Sequence, residues 1–167
     1  MLNAMRAREA DEEARRKILH ELDTSFLVEA GAGSGKTTSL VGRMLNLIKQ
    51  GKAEIGQIAA ITFTNKAASE LSGRFRLKLE EQLRSAPEGL ERERLELAVR
   101  QFNRGFIGTI HSFCGRLLRE RPVEAGLDPS FREIDETESK KLRDRSWDEY
   151  VERLRDQGRD EALQELL

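Results

Sequence analysis

An eight-residue run, Ala30-Gly31-Ala32-Gly33-Ser34-Gly35-Lys36-Thr37, constrains this chain more than any other feature. Three glycines at alternate positions, followed by lysine and threonine, fit the template G-x-x-x-x-G-K-[ST] with alanine in place of the first glycine. Gly31, Gly33 and Gly35 let the backbone turn its N–H groups inward around phosphate oxygens, a path that Cβ atoms would obstruct. A helix that begins at Lys36 points the positive end of its dipole at the same anion. Lys36 is suited to neutralise β- and γ-phosphates, and the Thr37 hydroxyl to ligate Mg²⁺. With Thr38 in the first helical turn, Ala30–Thr38 form the candidate nucleotide site. The chain is expected to bind a nucleoside triphosphate, or to descend from one that did.

The flanks supply the context such a loop needs. Ser25–Glu29 (SFLVE) is a short apolar run before the glycines and predicts a buried strand. From Lys36 to Gln50 the apolar positions Leu40, Val41, Met44, Leu45, Leu47 and Ile48 form one helical stripe, stopped by Gly51. A second strand is predicted over Ile58–Phe63, followed by a helix with Ala68, Leu71, Phe75, Leu79 and Leu83 at i, i+3/i+4 spacing. Leu95, Val99 and Phe102 mark another helix ending near Gly105, Phe106–Thr109 a third strand, and residues 112–121 a further helix. An N-terminal helix covers residues 7–22. Alternating strands and long helices call for a parallel sheet. The last stretch is purely helical, and Asp135 with Glu138 resembles a capping box at its start. We therefore expect an α/β domain over residues 1–130 and a helical extension over 131–167.

Composition excludes several alternatives. The 167 residues contain 29 Lys+Arg and 30 Asp+Glu, so there is no polybasic tail. The charge is unevenly spread: residues 61–121 carry 12 basic and 8 acidic side chains, residues 122–167 carry 8 and 14. No apolar run reaches the roughly 18 residues a membrane span needs, and the charged N-terminus lacks the core of a signal peptide, so a cytoplasmic protein is expected. Cys114, the one cysteine, can form neither an internal disulfide nor a structural zinc site and is expected to be buried in its helix; His20 is expected at the surface.

Three segments in order, AGAGSGKT, ITFTNKAASEL (residues 61–71) and GTIHSFCGRLLRER (residues 108–121), resemble motifs I, Ia and Ib of superfamily 1 DNA helicases of the UvrD/Rep type. The forms VEAGAGSGKT and GTIHSFC are most similar to the AddA/RecB helicase–nuclease branch. The resemblance implies a partial RecA-like domain that binds ATP with Mg²⁺, a single-stranded DNA track lined by motifs Ia and Ib, and movement along DNA driven by ATP. Phe63, Thr64, Asn65 and Lys66 resemble motif Ia; Thr109, His111, Ser112 and Phe113 resemble motif Ib. Hydroxyls and amides at strand ends hold phosphates without reading sequence, and Phe63 or Phe113 could stack on a base or fill the core. His111 could equally cap its helix.

The sequence also departs from that pattern. The glutamine by which many relatives recognise adenine is absent upstream of the loop, where the chain reads ADEEARRKI. No apolar strand ends in the Asp-Glu pair of motif II; Asp135-Glu136 read as helix-cap residues instead. The resemblance therefore implies an N-terminal piece of a longer helicase, of the helicase–nuclease kind that processes double-strand breaks for repair, and a piece that does not hydrolyse ATP by itself. Its expected partners are single-stranded DNA, the rest of its own polypeptide and a nuclease subunit. Two rivals are a small phosphotransferase, for which residues 38–60 offer only Glu54 as an activating carboxylate, and a single-stranded DNA-binding module without nucleotide chemistry.

Overall fold

A computed structural model describes residues 2–31 and 33–158, with side chains from residue 10 onward. It divides into two compact units, 1–117 and 118–167.

In the first unit, α1 (Leu2–His20) precedes the glycine-rich segment and α2 (Lys36–Lys49) follows it. Strand β1 (Ala59–Thr62) leads into α3 (Asn65–Ser85) and α4 (Leu90–Arg100), and β2 (Phe106–Thr109) returns beside β1. The two strands are parallel, in a register that sets Ala59 opposite Phe106 and Thr62 opposite Thr109. A parallel pair needs a long crossover, and α3 and α4 provide it. Helix α5 (Ile110–Glu120) leaves directly from β2.

The expected stripes meet in one core. Val41, Met44, Leu45 and Ile48 of α2 pack with Leu71, Phe75 and Leu79 of α3, Leu95 and Ala98 of α4, and Ile58 and Ala60 at β1. Phe75, Leu79 and Leu95 are 0% exposed; burying each such side chain is worth about 1.5–3 kcal/mol. Phe75 also meets the Phe102 ring at 5.9 Å between centroids. The opposite face of the sheet is partly open, although parallel sheets are ordinarily covered on both faces: Phe113 of α5 packs on Phe106 there, but Ile61 is 43% exposed.

Two expectations need correction. Ser25–Glu29 is not a strand: the segment is irregular, and Leu27 within it is 90% exposed. An apolar run becomes a strand only where a neighbour presents a matching row of N–H and C=O groups, and among the described residues β1 and β2 are the strands that pair. Cys114 is exposed rather than buried, because α5 turns Gly115 inward.

In the second unit, α6 (Glu136–Asp156) starts at Asp135, whose carboxylate accepts the Glu138 N–H at 2.7 Å. Glu138 does not complete the box. Its carboxylate instead takes both terminal nitrogens of Arg132 at 2.8 Å each, which holds its pKa below the usual carboxylate value. The acids at 135 and 136 therefore serve a helix start, as their sequence context implies. No helix among the described residues is long and apolar enough to cross a membrane.

Candidate phosphate-binding loop and adjoining strand ends

The loop takes its shape from left-handed backbone. Gly33 and Gly35 have φ of 76° and 84°, values at which any Cβ brings strain. Gly31 does not share this conformation. Ala32 lies outside the described residues.

Gly35 stands directly before α2, and no side chain caps that helix. Two other helices of the chain begin differently. Thr64 caps α3, its hydroxyl oxygen accepting the Ala67 N–H at 3.1 Å, and Asp135 caps α6. A helix start leaves several N–H groups without intrahelical partners. Helix α4 also begins at a glycine without a side-chain cap; α2 differs in carrying left-handed Gly33 and Gly35 and the folded-back Lys36 at its head, which suits its positive dipole end to an external anion.

Lys36 folds back over the loop. Its ammonium donates to the Ala30 carbonyl and to the Gly31 carbonyl at 2.7 Å, and the residue is exposed. Thr37 and Thr38 are exposed in the first turn of α2. Ser34 closes the turn, its hydroxyl donating to the Gly31 carbonyl at 2.8 Å. A phosphate oxygen would replace two carbonyl dipoles at Lys36 with a full charge, the stronger partner for an ammonium.

Two arginines hold this region that the sequence did not single out. Arg43 of α2 donates to the carbonyls of Ile18 (2.6 Å), Glu21 (3.1 Å), Leu22 (3.2 Å) and Thr24 (2.7 Å), and its guanidinium lies 5.1 Å from the Phe26 ring centroid. It thus gathers the end of α1 and the chain entering the loop. Arg15 of α1 donates to the Ser34 carbonyl at 2.7 Å and pairs with Asp11 at 2.9 Å. Only the i, i+4 spacing of Asp11 and Arg15 could have flagged either contact. Between the incoming segment and α2 lies a cleft of about 580 Å³, lined by Ile18, Leu22, Phe26, Val28 and Leu40, with Lys36 among its lining residues.

The other predicted residues gather at one end of the sheet, because Thr62 and Thr109 are register partners. Phe63 projects there, 94% exposed, which removes the core reading for it. Asn65 and Lys66 are exposed on the first turn of α3. Thr109 is buried, at 8% exposure, and its hydroxyl oxygen accepts the Ser112 N–H at 3.2 Å while the Ser112 hydroxyl donates to the Thr109 carbonyl at 2.9 Å. Thr64 and Thr109 therefore spend their side-chain oxygens on helix starts. His111 is exposed. Phe113 is half-buried against Phe106, ring centroids 5.1 Å apart, with Arg116 on the Phe106 ring at 5.8 Å. The structure thus brings residues 63–66 and 109–113 to one sheet end, and places the loop at the head of α2.

Comparison with known proteins identifies the family. Residues 10–166 match the family described as the UvrD/REP helicase N-terminal domain. Among curated relatives, an ATP-dependent helicase/nuclease protein of the AddA kind from Heliobacterium modesticaldum is 41% identical over 133 residues, covering 79% of this chain and 9% of the relative. Proteins of the same name from Ligilactobacillus salivarius and Listeria welshimeri are 36% and 34% identical, covering 84% and 90% of this chain but 11% and 12% of theirs. The chain thus spans about a tenth of the length of these relatives. With a family match running over nearly all of its residues, the chain belongs to the UvrD/REP helicase N-terminal domain family.

Proposed function

We propose that this chain is the ATP-binding N-terminal part of an ATP-dependent DNA helicase, of the helicase–nuclease kind that works in double-strand break repair. Residues 1–130 form the nucleotide-binding part and 131–167 the start of a helical insertion. The observation that carries this reading is the head of α2: left-handed Gly33 and Gly35, no side-chain cap, and Lys36 folded over the loop.

The residues present fit ATP. The loop amides and the α2 terminus would receive the phosphates, Lys36 would exchange its carbonyl partners for β- and γ-oxygens, and Thr37 would offer its hydroxyl to the accompanying Mg²⁺. Bound ATP supplies the phosphoanhydride whose cleavage drives movement in such enzymes. For this chain by itself the proposal is binding without turnover, because the Asp135-Glu136 pair serves a helix start.

For single-stranded DNA, exposed Lys66, Asn65 and His111 would meet backbone phosphates, and Phe63 would stack on a base. Thr64, Thr109 and Ser112 would shape the two helix starts that present them, and Phe113 would brace the second. The rest of the helicase polypeptide would cover the open sheet face, and a nuclease subunit would join the assembled protein.

A titration of labelled oligonucleotide, with and without ATP, tests the reading. The chain should bind the oligonucleotide, Phe63→Ala should weaken binding by roughly 1–3 kcal/mol, and ATP should alter the affinity. An affinity indifferent to ATP and to Lys36→Ala would support a plain DNA-binding module instead. DNA-stimulated ATP hydrolysis lost in Lys36→Ala would contradict the claim that the chain does not turn over nucleotide.

A further inference from the structure

We propose that Arg15, held by Asp11, is a positioning residue that aims the Gly35 amide of the phosphate loop; this inference rests on the nucleotide-binding role proposed above. The guanidinium of Arg15 donates to the Ser34 carbonyl at 2.7 Å, and Asp11 takes its Nε at 2.9 Å. Another guanidinium nitrogen, Nη1, lies 3.2 Å from where a Cβ on Gly35 would stand. Arg15 therefore fixes the outward face of the loop at the peptide joining Ser34 to Gly35.

That peptide is planar and trans. Its carbonyl and its N–H point in opposite directions, so holding the Ser34 oxygen toward α1 turns the Gly35 N–H away from α1. Gly35 itself, at φ 84°, has no Cβ to limit rotation of that plane, and glycine visits other conformations readily. One charge-assisted bond on the carbonyl supplies the restraint that the residue lacks. Asp11 keeps the guanidinium in place from one turn earlier on α1. The pair is too exposed, at 38% and 61% for the two side chains, to matter much to overall stability. Its effect falls on loop geometry.

The test compares the chain with Arg15→Ala and Arg15→Lys. A fluorescent non-hydrolysable ATP analogue with Mg²⁺ reports binding, thermal unfolding reports folding, and amide resonances of Gly33 and Gly35 in the nucleotide-free chain report loop geometry. Arg15→Ala should bind the analogue about tenfold more weakly, shift both amide resonances, and keep its unfolding midpoint within about 2 °C. Arg15→Lys, which keeps one charged donor, should recover part of the affinity. Equal binding by Arg15→Ala and the parent chain overturns the proposal. So do unmoved glycine resonances, or a loss of binding that follows an equal fall in midpoint in both variants. A parent chain that fails to bind the analogue overturns the nucleotide reading instead, and the resonances then decide the role of Arg15 alone.

Discussion

Two parts of the first unit obey different rules. The block of α2, α3, α4 and the two strands is held by apolar packing, with Phe75, Leu79 and Leu95 wholly buried. The segment from Leu22 to Gly35 is also rich in apolar residues, yet Leu27 is 90% and Val28 43% exposed. It is held instead by arginines reaching for carbonyls. The packed block closes its core with its own helices and strands. The loop-bearing segment has no strand neighbour, and its shape comes from left-handed glycines and from Arg43 and Arg15. The candidate phosphate loop sits on the part with the weaker packing, while the helix that follows it belongs to the packed block.

The largest expected effect separates the two parts directly. Phe75→Ala should lower unfolding free energy by about 3–5 kcal/mol, read as a reduced midpoint in urea. Leu27→Ala should change it by less than about 0.5 kcal/mol; a large loss there would mean that the segment is packed after all. Arg43→Ala should cost about 1.5–3 kcal/mol, since four carbonyls share its charge. Faster amide exchange should then appear around residues 18–26, with α3 and α4 unchanged; exchange spread evenly over the unit would erase the distinction.

The smallest effect lies in the second unit. Glu138 has its pKa lowered chiefly by its hydrogen bond from Arg132. A lowered folded-state value stabilises the fold above the ordinary carboxylate range, and that contribution disappears as pH falls through the folded value. Helical signal from α6 should therefore weaken below about pH 4, and less so in Arg132→Gln. An unchanged acid profile in that variant would show that the clamp does not matter.

Much of this was legible in the sequence, for physical reasons. Leu71, Phe75 and Leu79 recur with the period of a helix, so α3 could be read directly. The short runs at 59–62 and 106–109 are true strands because each finds the other. Ser25–Glu29 carries the same apolar signal, but pairing is a property of two segments and no local pattern announces it. Arg15 and Arg43 were illegible because they bind backbone carbonyls, and a carbonyl leaves no trace in residue type. The capping function of Asp135 was readable, whereas the turn of Glu138 toward Arg132 was not. At the candidate site, the glycines, Lys36 and the shared sheet end of the segments following β1 and β2 could be anticipated. The use of Thr64 and Thr109 as helix-capping oxygens could not.

Calorimetric titration of the chain with Mg²⁺ and a non-hydrolysable ATP analogue tests the central claim most directly. The account predicts saturable binding at one site, lost or weakened at least tenfold in Lys36→Ala while the unfolding midpoint stays put. Binding of equal strength in the two proteins would contradict it, as would no binding by a chain shown to be folded.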